Sequence, residues 1–353
     1  RTITIQLSTC MQLSKRCQLL LKSQQKSILI SCNSLLTIIE LASLTKCNNS
    51  SNFTLNYLTM RITTYIIILC VCCRCTIIDP PEKIPSFIKI DAIDLQINNS
   101  NEGTAQHAIV DAWVYIDGNL EGIYELPAEK IPLIHDGEHE LKVFAGIKKN
   151  GISGDREKYS FFTSYSQNIN LIPDSIIAVF PVVEYEDNLF IWIEDFEDPS
   201  AKFESTPLSD TTLYIIDNPA EELFEGDAGA VSMSANNFLC ELRTDELNFN
   251  NFPTNMNIPC YLEMHYKCNH PFTVGILHKT ATSPYLNEPL ITLNPTLNNF
   301  NEMQWNKTYL YLSDVTNFHP ASSAFDVYFS IINPTQQDNI EIRLDNIKII
   351  YRN

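Results

Sequence analysis

The sequence predicts an all-β protein built as two β-sandwich domains in tandem. Three observations predict it. Few stretches carry the 3.6-residue period of a buried helix, whereas many alternate apolar and polar residues one for one. Those runs are rich in Tyr, Phe, Ile, Val and Thr, and clusters of Asn, Pro, Asp and Gly, where chains turn, separate them. About 280 residues follow Cys75, which is room for two domains and too little for three.

Residues 1–59 differ from the rest. They hold six Lys/Arg and a single acid, Glu40, for a net charge of +5, while the whole chain carries −18 and the remainder therefore −23. Cys10, Cys17, Cys32 and Cys47 fall there without metal-ligand spacing, and no Pro or Gly punctuates the stretch. The expectation is a spurious or disordered extension, outside the fold.

Met60–Pro81 reads as an export address. Met60 and Arg61 form a short basic start, and an apolar run follows from Tyr65 to Cys73. That run has about half the ~20 residues that a membrane-spanning helix needs. A cysteine then meets a polar tether, Asp79-Pro80-Pro81. The cysteine end resembles a bacterial lipoprotein signal, which implies cleavage and lipidation at Cys75, with Cys73 as the alternative because Arg74 precedes Cys75. The expected layout is a signal over 60–75, a tether over 76–84, and sandwiches over 85–186 and 187–353.

The first domain opens with Phe87-Ile88-Lys89-Ile90 as a strand. Its clearest feature is Asp111–Gly122, where an apolar run meets Asp117-Gly118-Asn119 and resumes. Asp-Gly accepts the positive φ of a two-residue hairpin, so a tight β-turn is expected there. Gly137-Glu138-His139-Glu140-Leu141-Lys142-Val143 then alternates into another strand. This order of strand, Asp-Gly, strand, Pro127 and Gly-x-His-x-Leu-x-Val resembles the small β-sandwich repeats of the PEGA type. The resemblance implies a spacer or adhesive module without chemistry of its own. His135 and His139 are four apart, but Gly137 lies between them and the pattern is that of a strand, so they read as polar groups rather than metal ligands. Lys148–Arg156 reads as a solvated hairpin tip, and Ile169–Tyr185 as two strands around Pro173-Asp174.

The second domain begins with Leu189–Ile193, an unbroken apolar run of the kind buried on both faces. It ends with Ile340–Tyr351, whose phase breaks: Ile342 and Leu344 have one parity, and Ile347, Ile349 and Tyr351 the other. Both sets reach one core only if a residue bulges near Asp345-Asn346. Between these ends, Cys260–Cys268 alternates, with Leu262, Met264 and Tyr266 inward and Tyr261, Glu263, His265 and Lys267 outward. Leu310 and Leu312 point in while Tyr309 and Tyr311 point out. Phe325, Val327, Phe329 and Ile331 point in while Asp326 and Tyr328 point out. Trp305 reads as core. Cys260 and Cys268 lie about 26 Å apart on a straight strand, and a disulfide spans Cα atoms within about 7 Å, so they do not pair with each other; either could pair with Cys240, but all three are expected as buried free thiols.

The opening Trp-x-Glu-Asp-Phe-Glu and closing Leu-Asp-Asn-Ile-Lys-Ile resemble the jelly-roll sandwiches of carbohydrate-binding modules and galactose-binding-like domains. The resemblance implies neighbouring first and last strands and a structural Ca²⁺ held by Glu197 and Asp345, with Asp198 assisting. It also implies a concave face where outward rings hold a sugar: Tyr261, His265, Tyr309, Tyr311 and Tyr328. Taken from Cys75 onward, the arrangement resembles lipoproteins of Bacteroidota. That implies an outer-membrane protein anchored by lipid on the periplasmic or cell-surface side, with glycans or an outer-membrane secretion, assembly or nutrient-uptake complex as partner.

Other functions fit poorly. The acidic balance disfavours nucleic acid, which needs clustered Lys/Arg. No Gly-x-Ser-x-Gly, Walker A, dinucleotide fingerprint or His-Glu-x-x-His occurs. The acids Glu194, Asp195, Glu197 and Asp198 do not form the Glu-x-Asp-x-x-Glu of jelly-roll glycosidases, so an atypical glycoside hydrolase is the weakest reading and no enzymatic activity is expected.

Overall fold

The computed structural model describes residues 61–65, 82–217, 223–244, 252–254 and 258–352. The chain divides into two compact units, Arg1–Lys83 and Ile84–Asn353. In the first, residues 61–65 are helical. Cys73 and Cys75, expected to carry lipid, lie outside the described residues. No helix among the described residues is long and apolar enough to cross a membrane.

The second unit is all-β. Its first part holds β1 (Ser86–Ile90), β2 (Asp94–Gln96), β3 (Asp111–Ile116), β4 (Asn119–Glu125), β5 (Ala128–Leu133), β6 (Gly137–Lys148), β7 (Arg156–Lys158), β8 (Tyr165–Leu171), β9 (Ile176–Val179) and β10 (Val182–Glu184). A sheet of order β5-β1-β9 packs against one of order β4-β3-β6-β7, in which β8 also pairs with β6. Ile88, Ile90, Val114, Leu141 and Val143 fill the space between. The Asp-Gly turn forms as expected: Ile116 pairs with Asn119, and Asp117 and Gly118 take φ of 49° and 80°. The stretch expected as two strands around Pro173-Asp174 instead yields β8, β9 and β10. The last two return parallel to β1 and β2.

The second part holds β11 (Leu189–Glu194), β12 (Phe203–Ser205), β13 (Tyr214–Ile216), β14 (Ala228–Met233), β15 (Leu239–Thr244), β16 (Cys260–Cys268), β17 (Phe272–Lys279), β18 (Leu286–Leu293), β19 (Asn306–Tyr311), β20 (Ala324–Ile332) and β21 (Ile340–Arg352). Two antiparallel sheets form, β13-β14-β21-β16-β19 with β11 also on β21, and β12-β15-β20-β17-β18. Their inner faces close on one core, to which β16 gives Cys260, Leu262, Met264, Tyr266 and Cys268, and β20 gives Phe325, Val327, Phe329 and Ile331. Cys240, Cys260 and Cys268 are free and buried.

The thirteen residues of β21 organise this sandwich. One of its edges serves β14 along Ile340–Leu344 and β11 along Ile347–Arg352, while the other serves β16. First and last strands of the sandwich are therefore neighbours. The bulge expected from sequence is present: Asp345 faces His265 and Lys348 faces Glu263, so Asn346 and Ile347 stand opposite Met264 alone. Asn346 absorbs the extra residue at φ 46°. Ile342, Leu344, Ile347, Ile349 and Tyr351 thereby reach the same core.

Two readings of local burial change. β11 is half-buried along most of its length rather than enclosed by strands on both sides. Its apolar run has another cause: Phe190 and Trp192 pack on the second core while Leu189 and Ile191 pack on the first. The Lys148–Arg156 tip is solvated over residues 151–155, as expected, but its start is docked on the second sandwich. Asn150 N–H donates to the Tyr309 carbonyl at 2.8 Å, Tyr311 N–H donates to Asn150 Oδ1 at 2.7 Å, and Lys149 meets Asp314 at 3.3 Å.

Candidate functional site

Four of the five rings expected to line an open groove sit on the outer face of the β16–β19–β21 sheet, and that face is covered. Tyr261 and Tyr309 belong to the first core, with Ile350. Tyr159 packs on both, with ring centroids 5.1 Å and 5.0 Å away, and the Tyr309 hydroxyl accepts from Ala108 N–H at 3.2 Å. Tyr311 is half-buried, 4.9 Å from Tyr261, beneath the Lys149 ammonium. His265 is buried under Phe224, stacked at 4.0 Å. Burial, aided by Lys307 and Lys348, lowers the pKa of its imidazole to about 2, so it stays neutral. Tyr328 alone lies on the other sheet, where it is also buried. Tyr261, Tyr309 and Tyr311 are shut away because this face forms a joint with the first sandwich, whereas Phe224 of the second sandwich covers His265.

That joint has a charged centre. Glu263 is fully buried; its carboxylate accepts from the Tyr159 hydroxyl at 2.6 Å, the Tyr185 hydroxyl at 3.0 Å and the Lys307 ammonium at 3.0 Å. Lys348 donates to the Tyr185 hydroxyl at 3.2 Å. Burial alone would raise the Glu263 pKa, but Lys307, Lys348 and the Tyr159 hydrogen bond outweigh it, and the pKa falls below the ordinary value. Lys348 moves the other way for a cation: burial, then repulsion from Lys307, bring its pKa down to about 7. Every member has a partner here, so the centre fixes how the two sandwiches register and leaves little hydrogen-bonding capacity for a ligand.

The acids expected to hold a metal are partly assembled. The Asp345 carboxylate, buried beside the bulge, accepts from Asn346 N–H at 2.6 Å and Glu225 N–H at 3.3 Å. Burial, with the nearby charges of Glu225 and Glu197, still raises its pKa to about 8. Glu197 accepts from Asp227 N–H at 2.8 Å and lies so close over Gly226 that a Cβ there would meet its Oε1 at 1.7 Å. The donors are oxygens, the type that a hard cation such as Ca²⁺ takes, but among the described residues they do not form a group of three ligating side chains within 4.8 Å of one another. Asp198 does not join them: it is exposed and turns towards Lys202 at 3.9 Å. Glu194, considered as one of a catalytic pair, instead accepts from the backbone N–H groups of Phe196 and Lys202.

An open feature with binding chemistry lies beside the joint. A cavity of about 610 Å³ is lined by the docked tip Asn150–Ile152, by the strand end and turn from Ile291 to Leu297, and by Tyr266, Gln304, Trp305 and Asn306. Trp305, expected as core, is half-buried at this rim. Asn306 Nδ2 donates to the Tyr266 hydroxyl at 3.1 Å, which leaves that hydroxyl its own proton to give. The lining joins two aromatic rings to amides and hydroxyls and carries no ionised side chain. Sequence periodicity missed it because Trp305 and Gln304 precede β19 and the tip arrives from 150 residues earlier in the chain.

No family model matches the chain, and no curated protein matches it. Among solved structures it is similar to the family 11 carbohydrate-binding module from Clostridium thermocellum in complex with a β-1,3-1,4-mixed-linked tetrasaccharide, at 11% identity and TM-score 0.30 over 45% of this chain and 94% of that one. A carbohydrate-binding module of the β-sandwich superfamily is 13% identical over 76% of this chain and 98% of its own, with TM-score 0.31. A family 28 module described as specific for non-crystalline cellulose is 13% identical over 44% and 90%, with TM-score 0.31.

Proposed function

We propose that the protein is a glycan-binding protein of the cell envelope, without catalysis, and that its sugar contacts are made in the cavity rimmed by Trp305. One observation supports the reading most: the cavity pairs the half-buried Trp305 ring, suited to the apolar face of a pyranose, with neutral donors and acceptors suited to its hydroxyls. Two further elements of the proposal rest on the sequence. Cys75, or Cys73, following the apolar run supports a lipid anchor at the outer membrane. The acids Glu197 and Asp345 support a structural Ca²⁺ that steadies the β21 bulge. The sandwiches are proposed to span 85–186 and 187–353. The testing experiment is a glycan array probed with the full chain and with W305A. Signals present for the parent and absent for a folded W305A uphold the proposal.

A second reading, an accessory subunit of an outer-membrane complex, draws on a different feature. Ile84, Ile134, Ile172 and Ile176 are all more than half exposed. They gather at one end of the β5-β1-β9 sheet, where Ser86 pairs with Leu133 and Phe87 with Ile176. An apolar end of this kind suits protein contact. Co-purification with a barrel protein that is lost on charging Ile134 and Ile176 distinguishes it.

A further inference from the structure

On the β17–β18 edge of the second sandwich, along the same β18 strand that lends Ile291 to the cavity, three side chains from three elements converge. His278 lies on β17, Glu288 on the adjacent β18, and His319 in the turn after the short helix Ser313–Thr316. One ligating atom from each lies within 4.8 Å of the others. The Glu288 Oε1 atom is 3.9 Å from His278 Nε2 and 3.6 Å from His319 Nε2. The two imidazoles stack, with centroids 3.8 Å apart.

The state of His278 shows what the group lacks. The residue is 4% exposed, and its Nδ1 is 2.8 Å from the Ser322 hydroxyl. Its Nε2 is buried and has no hydrogen-bond partner among the described residues. A buried polar nitrogen without a partner costs about 1–3 kcal/mol. In the tautomer whose Nδ1–H donates to the Ser322 hydroxyl, the ring's lone pair lies on Nε2, facing Glu288. A metal-binding histidine is held in this way, with its second nitrogen oriented by a neighbour.

We propose that His278, Glu288 and His319 form a binding site for a Zn²⁺-class transition cation. Two imidazole nitrogens and a carboxylate oxygen suit this class and not Ca²⁺ or Mg²⁺, which take oxygen. Tetrahedral ligand atoms at Zn²⁺ distances lie about 3.3 Å apart. Coordination requires Glu288 to close in and the His319 ring to turn out of its stack on His278, and these are the two more exposed members. Three protein ligands leave a fourth position for water or for a group from a partner. The ion would tie the β17–β18 edge to the turn that leads into β20.

The experiment uses the full chain, reduced and alkylated so that the eight cysteines before residue 84 do not compete, and stripped with chelator. Zn²⁺ is titrated calorimetrically into the parent, H319A and E288Q, with circular dichroism confirming each fold. His278 is left intact because it is buried. The expected result is one site in the parent, weakened about tenfold or more in each variant, and a Zn²⁺-dependent rise in urea midpoint that H319A lacks. If H319A fails to fold, E288Q alone decides. A parent that takes up no Zn²⁺, or a folded variant that binds as the parent does, overturns the proposal.

Discussion

The Tyr159 hydroxyl donates to the Glu263 carboxylate at 2.6 Å, across 104 positions of sequence and between two sandwiches. This bond marks the joint as a built interface. It also shows why Tyr261 and Tyr309 are structural: they pack around the same ring.

Replacing Glu263 by Ala leaves Lys307 and Lys348 buried without their counter-charge. The expected loss is about 3–5 kcal/mol of stability. Y159F removes one of several donors and is expected to cost about 1.5–3 kcal/mol. Urea unfolding of the two variants and the parent measures both, with E263A clearly the worse.

Lys348 makes stability depend on pH. Its folded pKa, about 7, lies below the ordinary 10.5. Between those values the unfolded chain binds a proton that the folded chain does not, so stability rises with pH through this window. The slope is about 1.4 kcal/mol per unit. The difference in unfolding free energy between parent and K348M should climb from pH 7 towards pH 10. A flat difference contradicts the assignment.

What the sequence showed and what it hid divide along one physical line. The bulge at Asp345-Asn346 was legible because a period of two fixes which residues share a face, and a phase break then has a single remedy. The hairpin at Asp117-Gly118 was legible because positive φ selects residue types. Periodicity does not say what covers a face. Glu263, His265 and Lys267 looked like solvent-facing residues of β16, yet the whole strand is buried. The cover comes from elsewhere in the chain: Tyr159, Phe224 and the Asn150 tip. The same non-local docking forms the cavity and leaves Trp305 at its rim instead of in the core.

Calcium should compete with a proton at Asp345. With a pKa of about 8, that carboxyl is largely protonated at pH 7, and a bound cation must displace the proton. Apparent Ca²⁺ affinity is therefore expected to rise by up to about tenfold per pH unit below 8 and to level off above it. D345N should abolish both binding and its pH dependence. Calorimetry at pH 6.5, 7.5 and 8.5 measures this.

Gly226 lies at φ 49° under the Glu197 carboxylate. G226A adds both backbone strain and a clash, and an expected loss of about 2 kcal/mol or more follows. G118A, at a turn with open space around it, should cost less. Thermal melts of the pair rank them.

The most direct test of the central claim is a glycan array comparing the parent with W305A and Y309F. The account predicts glycan signals that a folded W305A loses by roughly thirtyfold in affinity, the scale of a hot-spot aromatic, and that Y309F keeps. Binding that survives W305A but disappears in a folded Y309F, or a parent that binds no glycan at all, contradicts it.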